Sequence, residues 1–176
     1  MSVELRAPVI DEAEAIARLH IACWREAYPG IVPAAALASA DIGERTAKWR
    51  QSIADADSFV LAAFDRGEPV AFILARPRGD ADATAGDGAI PALYVRASHY
   101  RLKLGSRLMA AAARWWLGRG GRSLRLGVLA ANTRAVAFYE RLGGRVVKTG
   151  TYAWGGADLP DAIYLFEDLA ALAALT

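Results

Sequence analysis

Residues 98–109, "SHYRLKLGSRLM", join a strand-like run, "AIPALYV", to a helical pattern, "GSRLMAAAARWWL". A strand, a basic turn and a helix start together make an anion site, because the first N–H groups of a helix have no intrahelical acceptor. Arg101, Lys103 and Arg107 place three cations there. Phosphate cradles usually carry two or three glycines, which let the backbone approach the phosphate oxygens. Here Gly105 stands alone. Further along, Asn132 and Tyr139 are seven residues apart, two helical turns, and so share a face. A phenol, with an ordinary pKa of about 10, can serve as a proton donor in such a site.

Aromatic residues form a second constellation. Trp24 and Tyr28 are i and i+4 on a helical pattern, and Tyr152 and Trp154 alternate on a strand pattern. Such rings could cradle a cationic or aromatic amine, or equally pack a core. The late loop "GGADLPDA" adds Asp158 and Asp161, acids that would draw a cation. His20 and Cys23, three apart on the first helical pattern, are too few ligands for a metal and read as packing. No metal site is expected. Cys23 has no identifiable partner base to make it a nucleophile. "GRGG" at 118–121 ends a helix and is no dinucleotide fingerprint, since no strand precedes it.

Charge is distributed unevenly. The formal net charge is +2, yet no Asp or Glu occurs from Gly88 to Tyr139, a window holding nine of the 21 basic residues. The remaining 12 basic residues face 19 acidic ones, a balance of −7 outside the window. An acidic frame around a basic middle is either a solvated arginine face or a site for a polyanionic ligand. Few aromatics interleave with these arginines and no nucleic-acid module is present, so no nucleic-acid partner is expected. A small phosphorylated cofactor fits the basic segment better.

These residues need a scaffold. The 176 residues suit one domain, 1–176, and are 55% apolar and 23% charged. No run approaches the roughly 18 apolar residues of a membrane span, so no membrane partner is expected. The early acids of "MSVELRAPVIDEAEAIARLH" argue against a signal peptide. A single cysteine leaves no internal disulfide, and a cytoplasmic protein is the expectation. The patterns predict a strand at 3–7, a helix ending at Pro29-Gly30, a second helix from about Gly43 to Ala54, and a hairpin turning at Asp65–Glu68. After a polar loop come the strand "AIPALYV", a helix to about Arg119, the strand "SLRLGVL", a helix from Asn132 to Gly143, two strands, and a short helix or frayed tail at "LAALAALT". The order βααβββαβαββ describes an α+β domain with a mixed β-sheet flanked by helices.

In that order, "LYVRASHYRLKLGSRLMAAAARWW" followed by "LRLGVLAANTRAVAFYERLGG" resembles the GNAT (N-acetyltransferase) superfamily. The early "CWREAYPGIVP" is also similar to many members, so the resemblance spans most of the chain. It implies acetyl-CoA as acyl donor and the amine of a small molecule or peptide as acceptor. It implies cofactor contacts from Leu93, Tyr94 and Val95, from Tyr100, Arg101, Leu102, Lys103, Leu104, Gly105 and Ser106, and from Asn132. Tyr139 takes the place of the family's general acid, aimed at the thioester sulfur. The acceptor pocket lies between the first helices and the late strands, which implies Trp24, Tyr28, Tyr152 and Asp158. A homodimer is left open.

Two departures stand out. The family's cradle runs Gln or Arg, two residues, Gly, one residue, then Gly or Ala; here Tyr100 and Lys103 fill the first two fixed positions and only Gly105 matches. Arg101 also stands where a further Gly is common. Lys103 either adopts a negative φ or accepts strain of about 1 kcal/mol. Many members carry a Glu where this chain has Ala89, which leaves Asp87, Glu26, Asp158 and Asp161 as candidate bases. The alternative reading is a catalytically weakened domain that binds CoA or a partner without turnover.

Overall fold

The computed structural model describes residues 3–175. The chain runs β1 (Glu4–Arg6), α1 (Ala13–Ala27), α2 (Ala34–Ala38), α3 (Ile42–Ala54), β2 (Phe59–Asp65), β3 (Glu68–Pro77), β4 (Asp87–Val95), α4 (Leu104–Gly118), β5 (Ser123–Leu129), α5 (Thr133–Arg141), β6 (Arg145–Trp154), β7 (Ala157–Phe166) and α6 (Leu169–Ala173). The predicted βααβββαβαββ order holds, with α2 inserted and the C-terminal segment helical through Ala173. Thr176 lies outside the described residues. At five residues, opened by Pro33, α2 is too short to leave a periodic signature.

Capping residues fix where the helices begin. Asp41 accepts the N–H of Glu44 at the start of α3, Asn132 that of Ala135 at the start of α5, and Asp168 that of Ala171 at the start of α6. The helix ahead of Tyr28 begins instead with a 3-10 turn, Ile10–Glu12. There Glu12 takes two hydrogen bonds from the Arg6 guanidinium and one from the Val9 N–H. This ties β1 to the entry of α1.

One seven-stranded sheet has the order β1-β2-β3-β4-β5-β7-β6, antiparallel throughout except between β4 and β5. That parallel contact covers only three pairs, from Asp87–Ser123 to Ala89–Arg125, although both strands run on. The register against β3 shifts at this point, so Ile90 and Pro91 together oppose the single residue Ala75. A proline has no N–H to give a ladder, and the extra residue bends its strand. Beyond Ala89 the two strands part and the sheet is split.

The two faces are covered differently. Helices α1 and α3 pack over Ala62, Phe64, Phe72, Leu74 and Ala92 through Ile16, Cys23 and Trp49. On the opposite face α4 and α6 bury Leu108, Met109, Trp116, Leu169 and Leu172 against Ile73, Leu124 and Leu126. Tyr28, Val32, Leu37 and Leu129 form a smaller cluster near the α1–α2 connection. Helix–sheet–helix layering therefore places α1 on one side of the split and α4 and α5 on the other. No helix among the described residues is long and apolar enough to cross a membrane.

Candidate active site

The split between β4 and β5 opens into a groove of about 1090 Å³ that reaches both faces of the sheet. Cys23 and Glu26 line it from α1, Tyr28 and Ile31 from the segment just after it, Pro91 to Val95 from β4, and Asn132 to Ala135 with Ala137 to Tyr139 from the start and body of α5. The basic turn closes one end with Tyr100, Arg101, Lys103, Leu104, Gly105 and Ser106. Of the expected cofactor residues only Leu102 falls outside the lining; its side chain turns to solvent at 45% exposure.

The cradle keeps glycine geometry without glycine. Arg101 has φ +70° and Lys103 φ +57°, both in the left-handed region. Of the two alternatives for Lys103, a negative φ or a strained left-handed one, the structure has the second: the backbone path of the turn holds, and these residues carry the strain, about 1–2 kcal/mol for each L-residue. Gly105, the one residue that matches the motif, answers to a different demand. A Cβ there would lie 3.0 Å from Phe138 Cζ, so its absence lets the first turn of α4 approach α5.

Six consecutive backbone N–H groups, Arg101 to Ser106, have no acceptor among the described residues. Donors in a row at a helix N-terminus form an anion nest, and Arg101, Lys103, Arg134 and Arg141 in the lining add charge. The Arg134 guanidinium lies 4.1 Å from the centroid of the Tyr100 ring, bridging α5 and the cradle. Donor set and charge fit the pyrophosphate of a CoA thioester. Its pantetheine arm would run along Leu93, Tyr94 and Val95, whose β5-side edge lies beyond the last β4–β5 pair.

Tyr139 is 8% exposed, lines the groove and packs near Tyr164 and Phe166. Burial drives its phenol well above the ordinary value, helped by the nearby Tyr28. It stays protonated throughout the neutral range. Asn132 sits two turns before it, also in the lining, with its side-chain oxygen spent on the helix cap at 3.3 Å from the Ala135 nitrogen.

The expected acceptor residues separate. Tyr28 lines the groove; Trp24 stands behind it and donates its indole N–H to the Tyr94 hydroxyl at 3.1 Å. Tyr152 is 54% exposed on β6, and Asp158 is exposed on β7; neither reaches the groove. Trp154 takes the position foreseen for Tyr152, its ring 5.0 Å from that of Trp24 and 5.3 Å from that of Tyr28. The residue missed as a side chain is Tyr94, whose hydroxyl is 2.9 Å from that of Tyr28. Strand alternation with Ala92, which packs under α1, was the available signal.

The candidate bases fare poorly. Asp87 accepts from Thr84 and Ser123 at the far end of β4, and those bonds hold its carboxyl down to about 2. Asp161 pairs with Leu129 and Gly150 outside the lining. Glu26 is in the groove, but Arg96 Nε and the Ala97 N–H bind its two oxygens at 2.7 and 2.8 Å. Ala89 occupies the last parallel pair, opposite Arg125, whose buried Nε has no partner among the described residues. His20 is buried and Cys23 is buried, as their packing role requires, and no cluster of metal-binding side chains occurs among the described residues.

Known proteins share this fold. The acetyltransferase (GNAT) family profile matches residues 13–144. YuaI of Bacillus subtilis (strain 168), an uncharacterized N-acetyltransferase, is 25% identical over 174 residues, 98% of either chain. Among solved structures, the PaiA N-acetyltransferase of Thermoplasma acidophilum, in complex with coenzyme A, has a TM-score of 0.77 at 22% identity, covering 95% of this chain and 99% of that one. The yncA protein of Salmonella typhimurium, solved with its cofactor acetyl-CoA, has a TM-score of 0.71 at 16% identity, covering 95% and 94%. The chain belongs to the acetyltransferase (GNAT) family, and its fold is that family's α+β fold.

Proposed function

We propose that the protein transfers an acetyl group from acetyl-CoA to the amine of a small molecule or peptide. The observation that carries this reading is the run of six free N–H groups from Arg101 to Ser106 at one end of a groove that also contains Tyr139. The nest and its cations bind the phosphates. The split edge of β4 orients the arm that carries the thioester.

Tyr139 is the proton donor for the departing thiolate. Its burial raises the phenol, and the same burial raises a thiolate formed beside it, so donor and acceptor remain matched. Asn132 positions the start of α5, and through it the helix face that bears Tyr139.

One observation favours a second reading, CoA binding without turnover: the single carboxylate in the lining among the described residues, Glu26, has both oxygens engaged. Calorimetric titration with acetyl-CoA, beside CoA, separates the possibilities when paired with an assay of thiol release on an amine panel. Micromolar binding, about −8 kcal/mol, with amine-dependent release supports transfer. Binding with no release on any amine supports the second reading. No binding up to millimolar concentration removes both.

A further inference from the structure

Among the described residues, no side chain at the groove's end on the α1 face is a free base. Glu26, its one carboxylate, is held by Arg96 and the Ala97 N–H. His99, its one imidazole, lies on the cradle side with Nε2 3.2 Å from Asp65 Oδ2 and Nδ1 2.8 Å from Ser98 Oγ. The Cys23 thiol is pushed up to about 12 by burial and the nearby Glu26, so it is no thiolate near neutrality. The remaining charged side chains of the lining among the described residues, Arg101, Lys103, Arg134 and Arg141, are positive and repel an ammonium ion. Behind the wall, His20 accepts from the Trp49 indole through Nδ1, and burial pushes it down to about 3.

At this end lie the two phenols of Tyr28 and Tyr94. An indole N–H only donates, so the Tyr94 oxygen accepts from Trp24. The two hydroxyls share one hydrogen bond at 2.9 Å, which consumes one proton of the pair and leaves the other unspent. Burial raises both phenols above their ordinary range. The pair therefore offers oxygen acceptors and one hydroxyl donor to a neutral –NH2 group, but no sink for a proton.

Building on the acetyl-transfer reading, we propose that the acceptor is a primary amine of low basicity, an aromatic amine or an α-amino group, which enters already neutral and is oriented by the Tyr28–Tyr94 pair. For such an amine the reaction balances inside the groove. The nitrogen lone pair forms the N–C bond to the acetyl carbonyl carbon, and the C–S bond breaks with its electron pair going to sulfur. Tyr139 gives its proton to that sulfur, and the proton lost by nitrogen restores the phenol. No proton leaves the site. An alkylammonium must first give up one more proton, and no side chain among the described residues of the lining is free to take it.

The test uses acetyl-CoA with three amines of similar size: 4-ethylaniline, phenylalanine amide and phenethylamine. Acetyl-CoA binding is measured first, and the N-acetyl products are then followed by mass spectrometry near pH 7 and near pH 9. An alkyl ammonium titrates near 10 and an α-amino group near 8, so kcat/KM for phenethylamine should be at least about 30-fold below that for phenylalanine amide at the lower pH. It should then rise about tenfold per pH unit toward its own pKa. Quenching of tryptophan fluorescence by phenylalanine amide, without acetyl-CoA, should strengthen as its amine becomes neutral. Tyr28→Phe should lower kcat/KM for the favoured amine about tenfold. Near-equal rates for phenethylamine and phenylalanine amide at neutral pH overturn the inference. Acetyl-CoA binding with no product from any of the three also overturns it while leaving the cofactor site intact. Failure of acetyl-CoA to bind removes the transfer reading and this inference together.

Discussion

Tyr100 of the cradle and Arg134 of α5 meet across the groove, with the guanidinium carbon 4.1 Å from the ring centroid. They join the basic turn to α5, two of the elements that line the groove. The contact brings the Arg134 charge to Tyr100, at the edge of the cradle. A cation over a partly shielded ring contributes about 0.5–2 kcal/mol, and a charge-assisted phosphate contact is of similar size. Arg134→Ala should therefore weaken acetyl-CoA binding about 10-fold by calorimetry. Arg134→Lys should recover part of the loss, because it restores charge but not the planar stacking. An unchanged affinity in both variants would separate Arg134 from the cofactor site.

Lys103 tests whether the cations of the turn replace what glycine normally supplies. Glycine at this position removes about 1–2 kcal/mol of left-handed strain and returns up to about 1 kcal/mol to the unfolded chain as entropy. Lys103→Gly should thus melt within a few degrees of the parent. Its acetyl-CoA affinity should nevertheless drop several-fold and depend less on salt, because one positive charge has gone from the nest. Tighter binding by the glycine variant would mean that the lysine obstructs the cradle.

The sequence shows the cradle's location and hides its geometry. Strand, basic turn and helix are legible in residues 89–118 because period and capping signals change there. Lys103 and Arg101 carry no local sign that they adopt positive φ. That follows from the strand and helix they must connect. The single glycine is likewise explained by Phe138, a residue on another helix. Nearly all the strands were readable from local pattern, whereas the split after Ala89 depends on a register shift against β3. The acceptor side was the least legible. Tyr28 and Tyr94 lie far apart in sequence and are joined by a hydrogen bond that only tertiary packing creates. Tyr152 and Trp154 share a strand face, yet only Trp154 turns into the aromatic cluster beside Tyr28.

Tyr139 is tested by removing its hydroxyl alone. Tyr139→Phe keeps the ring that packs against Tyr164 and Phe166, so the fold should persist. General acid assistance typically supplies 10²–10⁴-fold, and solvent can replace part of it. The variant should lose about 30- to 300-fold in kcat with acetyl-CoA affinity within about twofold of the parent. Retention of full turnover would assign the sulfur's proton to another source.

His20 links the aromatic wall to the stability of the whole chain. It is 6% exposed, accepts the Trp49 indole N–H at 3.2 Å and lies edge-on to Trp24 and Phe72. Burial, reinforced by the Arg45 charge, pushes its pKa from 6.5 down to about 3 in the folded state. Between those values the unfolded chain binds a proton that the folded chain refuses. Stability therefore falls as pH falls from about 6.5 toward 3, by up to about 1.4 kcal/mol per pH unit from this group. Carboxylates such as Glu12 and Asp87, held low in the fold, add losses of the same sign at the acid end. The histidine term is isolated by His20→Gln, whose amide oxygen can keep the Trp49 hydrogen bond without titrating. Urea unfolding at a series of pH values should show the two proteins converging in stability as pH drops from about 6.5 to 4. Parallel curves over that interval would mean that water and a proton reach His20 in the folded protein, and that the wall behind Tyr94 is open.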